Sequence, residues 1–140
     1  MADVRKNETA VEARTNGFRK VPLPPDLARE IPLSDNARTV LRKRYLRRGE
    51  DGQPEETEQE MFWRVAYHVA QAEAEFDQPV EPMARRFYDL LTGLRFFPNS
   101  PTFTGAGTPL GQLAACFVLP IDDDMGRTGS GIFETLRHAA

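Results

Sequence analysis

The chain has 140 residues, of which 40% are hydrophobic and 28% charged, and these proportions are typical of a globular domain. The length suffices for one ordinary domain and is too short for two. No apolar run approaches the ~18 residues of a membrane-spanning helix, and the first residues lack the apolar stretch of a secretory signal. We therefore expect a soluble, cytoplasmic protein without membrane association.

The net charge and the cysteine content exclude further classes of protein. A net charge of −3 gives no reason to expect a nucleic-acid partner, because nucleic-acid-binding domains are usually strongly basic. Cys116 is the only cysteine, which excludes an internal disulfide framework and a multi-cysteine zinc site.

The charges are unevenly distributed along the first part of the chain. Residues 1–32 contain six basic and five acidic side chains, four prolines and few large apolar residues, which predicts a flexible or extended lead. Residues 34–48 then contain six basic side chains, and residues 49–60 contain six acidic ones. We interpret these two stretches as solvated faces that neutralise each other. A phosphate site at the arginines is the alternative.

Three helices are predicted in the middle of the chain. Ser34 fits the N-cap of the first helix, and Gly49 fits a left-handed residue that ends it. Thr57 and Glu60 form a capping box at the start of the second helix, and the third begins near Glu81. Each helix has an apolar stripe at helical spacing. The stripe of the second consists of Phe62, Val65, Ala66, Val69, Ala72 and Phe76.

The pattern changes after residue 95. Residues 96–109 contain three prolines and two glycines, which argues against a helix and predicts a loop whose N–H and hydroxyl groups can approach a sugar or phosphate. Residues 113–119 predict a short strand that is buried on both faces. A solvated loop without a metal site is predicted at Asp122, Asp123 and Asp124. Ser130 is a candidate cap for a last helix.

The single predicted strand has no partner strand in this sequence. A strand that is buried on both faces cannot satisfy its backbone groups alone. We therefore expect the chain to be the N-terminal piece of a larger protein.

Several segments, taken in order, resemble one enzyme family. RFFPNSPT at 95–102 and GAGTPLGQLAACFVLP at 105–120 closely resemble the start of the catalytic barrel of the ribonucleotide reductase large subunit. NARTVL at 36–41 is similar to the N-terminal helical region of that family, and GIFETL at 131–136 is similar too. The resemblance implies a mainly α-helical region at 33–94, followed by the first strand of a ten-stranded α/β barrel, which is incomplete in residues 95–140.

The resemblance also implies a reaction. A ribonucleoside-diphosphate reductase replaces the ribose 2′-hydroxyl by hydrogen for DNA synthesis, and a thiyl radical on a distant cysteine abstracts the 3′-hydrogen. Cys116 matches one member of the redox-active thiol pair. Ser100 matches a hydroxyl that contacts the substrate, and Ala115 and Cys116 match backbone contacts to it. The other catalytic residues would lie beyond residue 140, so the 140 residues alone should be inactive.

The resemblance implies a cofactor and partners as well. The stretch DMGRT at 124–128 and the absence of an ATP-binding cone in the first 33 residues favour the adenosylcobalamin-dependent class over the two-subunit di-metal class. A thioredoxin-type reductant, a nucleotide effector and a homodimer are the expected partners of the full-length enzyme. No metal ligand is expected in this chain. A stand-alone helical interaction module, or a split-subunit piece without catalysis, is the alternative function.

Overall fold

The computed structural model describes residues 14–15 and 18–140, with side chains from residue 20 onward. Within these ranges the chain is mainly helical. Its elements are β1 (Arg14–Thr15), β2 (Phe18–Arg19), α1 (Asp35–Arg44), α2 (Glu58–Ala70), α3 (Val80–Thr92), α4 (Ser100–Gly105) and α5 (Ile132–Ala139), with 3₁₀ turns at Pro25–Leu27 and Gln71–Phe76. The two short strands pair antiparallel. No described helix has the length and apolar character that crossing a membrane requires.

The helix α1 begins as predicted and ends earlier than predicted. The Ser34 hydroxyl accepts a hydrogen bond from the Ala37 amide at 3.2 Å, which confirms the N-cap. The helix ends at Arg44 with Tyr45 as its C-cap, and not at Gly49. The amide of Gly49 instead donates to the carbonyl of Gln53 at 2.9 Å, so a separate turn follows the helix.

The start of α2 confirms the predicted capping box. The Thr57 hydroxyl accepts from the Glu60 amide at 3.2 Å. The Glu60 carboxylate accepts from the Thr57 amide at 2.7 Å. Two amides that α2 could not satisfy by itself are therefore paired.

We expect Thr57→Ala to lower the free energy of unfolding by about 1 kcal/mol, because one of these amides loses its acceptor. Urea unfolding followed by circular dichroism measures the loss. Thr57→Ser keeps the hydroxyl and should stay close to the wild type. Equal losses in both variants would contradict the capping role.

The core lies between α2 and α3. Trp63 is 2% exposed and Tyr88 is fully buried, and their rings meet edge to face with centroids 5.9 Å apart. Trp63 is thus a packing residue, and Met83 packs against the same cluster. The stripe predicted for α2 ends early, since Phe76 is 71% exposed. The chain tightens into a 3₁₀ turn after Ala70, which changes the angular spacing of the side chains.

The segment before α1 packs against the helices instead of forming a free lead. Leu27 and Ile31 are buried, and the Tyr88 hydroxyl donates to the Leu27 carbonyl at 3.2 Å. Arg29 lies over the Tyr88 ring at 5.0 Å and pairs with Asp89 at 2.8 Å. Sequence analysis predicted a flexible or extended lead over 1–32, and the segment 21–31 is instead packed against the helices. The same prediction for 1–13, 16 and 17 lies outside the described residues.

The part of the chain after residue 95 differs most from the sequence prediction. Residues 100–105 form α4, although the prolines argued against a helix. Pro101 lies in the first turn, where its missing N–H removes no helical hydrogen bond. The predicted buried strand at 113–119 is not a strand, and Val118 is 97% exposed. The two strands among the described residues, β1 and β2, pair with each other. The helix α5 begins after Gly131 and has no cap from the Ser130 side chain.

Candidate functional site

The three candidate substrate-contacting residues are all exposed to solvent. Ser100 is the first residue of α4, and its carbonyl accepts from the Thr104 hydroxyl at 3.4 Å. Ala115 and Cys116 lie in the irregular segment that follows α4, where Ala115 is at a bend, and the Cys116 thiol is free. All three residues are thus accessible to a ligand in this chain.

Hydrogen bonding and close packing join α4 to the segment that carries Cys116. The Thr102 hydroxyl contacts both the Asn99 side-chain oxygen at 2.6 Å and the Leu113 carbonyl at 3.0 Å. A Cβ atom added to Gly105 would lie 1.8 Å from the carbonyl oxygen of Gln112, so only glycine allows this approach. The structure therefore holds α4 directly against residues 112–113. Within residues 20–140, no hydrogen bond joins Ser100 to Cys116 directly.

A buried ion pair lies behind α4, and the sequence did not reveal it. The Arg64 guanidinium donates to the two Glu56 carboxylate oxygens at 2.9 and 2.8 Å. Their side chains are only 5% and 7% exposed. The same carboxylate accepts from the backbone amide of Arg47 at 2.8 Å. The prediction of a solvated acidic face is therefore wrong for Glu56. Arg42 is 65% exposed, but the side chain of its partner Glu58 is only 13% exposed.

Two arginines donate to carbonyls at the C-terminal end of α4. Arg64 donates to the carbonyls of Phe103 at 3.1 Å and Ala106 at 2.7 Å. Arg47 donates to the carbonyls of Thr104 at 2.9 Å and Ala106 at 3.3 Å. We call Arg47, Glu56 and Arg64 the ion cluster. Burial, and then the charge of Arg64, lower the pKa of Arg47 to about 10, so it remains a cation at neutral pH.

One sequence signal could have indicated the ion cluster. Arg64 interrupts the apolar run of α2, where its neighbours from Met61 to Ala66 are all buried. A charged residue within such a run needs a charged partner. The acidic stretch at 49–60 offered six candidates, and only the tertiary structure selects Glu56.

Two cavities border the joined unit of α4 and residues 112–113. One has a volume of about 390 Å³ and apolar walls. It is lined by Val65, Ala66, Val69, Phe87, Leu90, Leu91, Phe96, Pro98, Thr102 and Leu113. The other has a volume of about 330 Å³ and is lined by His68, Gln71 and residues of the 106–113 segment. His68 also contacts Gly107, where an added Cβ would lie 2.8 Å from the ring.

The three consecutive aspartates form a turn. The Asp124 carboxylate accepts from the amides of Gly126 at 2.7 Å and Arg127 at 2.6 Å. The Thr128 hydroxyl also donates to it, and this bond, followed by the amide bonds, lowers the pKa of Asp124. In the part of the chain that the structure describes, no group of three His, Cys, Asp or Glu side chains is placed to hold a metal ion.

Comparisons with a family model and with individual proteins identify the same family. A sequence model of the family described as "Ribonucleotide reductase, all-alpha domain" matches residues 32–111. The chain is 47% identical over 112 residues to a vitamin B12-dependent ribonucleoside-diphosphate reductase of Mycobacterium tuberculosis. It is 32% identical over 167 aligned positions to a protein of the same name from Thermoplasma acidophilum. It is 33% identical over 97 residues to a ribonucleoside-diphosphate reductase subunit alpha of Treponema pallidum.

These matches cover most of this chain and little of each relative. They include 79% of the chain for the first two relatives and 69% for the third. They include 16%, 21% and 11% of the relatives' own lengths.

Proposed function

Since this chain belongs to the family of the ribonucleotide reductase all-alpha domain, we propose that it presents Ser100, Ala115 and Cys116 to a ribonucleotide in the large subunit of a ribonucleotide reductase. In this proposal residues 33–94 form the helical support. Residues 95–140 begin the catalytic barrel, and residues 113–119 become its first strand when neighbouring strands pair with them.

The proposed reaction replaces the 2′-hydroxyl of the ribose by hydrogen. Cys116 and a second cysteine outside this chain are the reductants. As thiols they supply two electrons and two protons, the hydroxyl leaves as water, and the pair ends as a disulfide. A thioredoxin-type protein then reduces that disulfide. Ser100 contributes a hydroxyl that hydrogen-bonds to the nucleotide and orients the sugar, as positioning for reaction requires.

The observation that supports this proposal is the link between α4 and residues 112–113. Thr102 and Gly105 hold the helix that begins with Ser100 against the backbone three and four residues before Cys116. The helix and residues 112–113 thereby become one unit, which carries Ser100 and leads directly to Cys116, and both residues are exposed.

We further propose the adenosylcobalamin-dependent class for this reductase. Two of the relatives are named vitamin B12-dependent reductases, and adenosylcobalamin supplies radical chemistry when bound. The described residues offer no cluster of metal ligands, so we assign none of this chain's residues to cobalamin and derive no step through it. The subunits alpha among the relatives make the two-subunit di-metal class the alternative.

A reduction assay with the full-length protein tests the proposed function. The protein is incubated with a ribonucleoside diphosphate, adenosylcobalamin and dithiothreitol, and the deoxyribonucleotide is quantified. We expect product that depends on adenosylcobalamin. Product that requires a separate metal-containing subunit would support the di-metal class. Absence of product both with adenosylcobalamin and with a metal-containing subunit would contradict the proposed enzymatic activity. It would favour the alternative of an interaction module, which the exposed side chains of Phe117 and Val118 support.

A further inference from the structure

From the contacts behind α4 we infer that the ion cluster of Arg47, Glu56 and Arg64 positions the nucleotide-contacting residues. This inference rests on the proposed function and extends it to residues that do not themselves contact the substrate. In this role the cluster sets the place of Ser100 and, through Thr102, the place of the segment leading to Cys116.

The helix α4 requires external support to hold its position. It has only six residues, and the side chain of its N-cap Asn99 accepts from the Thr102 hydroxyl but from no backbone amide of the helix. Helices of this length are unstable by themselves, and their last carbonyls lack partners within the helix. The carbonyls of Phe103, Thr104 and Ala106 all accept hydrogen bonds from Arg47 or Arg64. Positive charge at a helix C-terminus is also electrostatically favourable.

The ion cluster is better suited to fixing geometry than to adding stability. Burying two guanidinium groups and a carboxylate removes their hydration, so apolar side chains of similar volume often stabilise a fold as well or better. The planar guanidinium offers something that apolar groups do not, namely donors in a fixed arrangement. Arg64 uses one edge for both oxygens of Glu56 and its remaining nitrogen for α4. The position of α4 relative to α2 is thereby fixed in direction as well as distance.

The contacts then continue from the ion cluster to the candidate site. Phe103, whose carbonyl accepts from Arg64, is fully buried and anchors the middle of α4. Thr102 precedes it and contacts the Leu113 carbonyl. Gly107 follows with a φ of 77° and turns the chain beside His68. A shift of the C-terminal end of α4 would therefore move Ser100 and the residues before Cys116 together.

Arg47 is only half-buried, whereas Arg64 is buried. Substitution of Arg47 therefore tests this inference with less risk of unfolding the protein than substitution of Arg64. In the full-length protein we compare Arg47→Met with the wild type and with Arg47→Lys, which keeps the charge. Arg44→Met is the matched control, since it removes an exposed arginine from the last turn of α1. Arg64→Lys is a second variant that keeps the charge and loses the planar fork.

We expect kcat/KM for a ribonucleoside diphosphate to fall by roughly 10- to 100-fold in Arg47→Met, because a misplacement of reacting groups by about 1 Å lowers the rate by up to this factor. KM should rise, because Ser100 is displaced. A variant that is only less stable loses active molecules, which lowers the apparent kcat and leaves KM unchanged. The amides of Ala106 and Thr108 donate to carbonyls of α4, and their hydrogen exchange should become faster. Arg47→Lys should recover part of each effect, and Arg44→Met should match the wild type.

The outcomes separate this inference from the proposed function. An active Arg47→Met enzyme with unchanged KM overturns the positioning role. Unchanged amide exchange in both Arg47→Met and Arg64→Lys overturns it as well, because the ion cluster then does not hold α4. A wild-type protein that neither binds nor reduces ribonucleotides overturns the proposed function itself.

Discussion

Replacing Cys116 by serine should abolish steady-state nucleotide reduction in the full-length reductase, with a loss of roughly 10³-fold or more in turnover. Serine is nearly isosteric with cysteine and still donates a hydrogen bond, so substrate affinity should remain close to that of the wild type. It cannot form a disulfide, and the two reducing electrons then have no source. The measurements are deoxyribonucleotide formed with dithiothreitol as reductant and, separately, the Kd of the ribonucleoside diphosphate.

Cys116→Ala is the comparison that separates redox chemistry from packing. The thiol is exposed in this chain, so its removal should change the free energy of unfolding by less than about 0.5 kcal/mol. Turnover should nevertheless be lost as completely as in the serine variant. Multiple turnovers by either variant would show that Cys116 is not one of the reducing thiols.

The largest effect on stability is expected from Phe103→Ala. Phe103 is fully buried, and its ring lies 4.6 Å from that of Phe97 and 5.9 Å from those of Tyr45 and Phe62. Its truncation leaves a cavity where α4 meets α2, with an expected loss of about 3–5 kcal/mol in the free energy of unfolding. This is a large part of the 5–15 kcal/mol that is typical of whole domains. Urea unfolding of the 140-residue chain measures it.

Phe76→Ala is the matched control for this substitution. It removes the same ring from a position that is 71% exposed, and we expect a change within about 0.5 kcal/mol. Phe103→Leu keeps most of the volume and should lose about 1 kcal/mol. Similar losses at positions 76 and 103 would contradict the assignment of Phe103 to the core.

The parts of the fold that depend on neighbours along the chain were predictable from the sequence. The caps at Ser34 and Thr57 act over three residues, and the structure contains both. The helical face of α3 follows from a repeat that the sequence displays directly. The resemblance of residues 95–120 to ribonucleotide reductases likewise needed only residue order, and the family model includes the part of this segment up to residue 111.

Contacts between distant parts of the chain decided the rest. The proline-containing segment forms α4 because Phe103 packs into the core and two arginines satisfy its last carbonyls. Residues 21–31 are ordered against α3, since Tyr88 and Asp89 provide partners that lie about 60 positions further along the chain.

The sequence by itself therefore determined the helical middle of the chain, its caps and its family. Only the tertiary structure determined that Glu56 is buried and that α4, which begins with Ser100, is joined to residues 112–113. The physical reason is that a local pattern shows which side chains are apolar or charged, but not which distant group will remove them from water. Burial of Glu56 is tolerable only beside Arg64, and that pairing exists only once α2, α4 and the turn before α2 have come together.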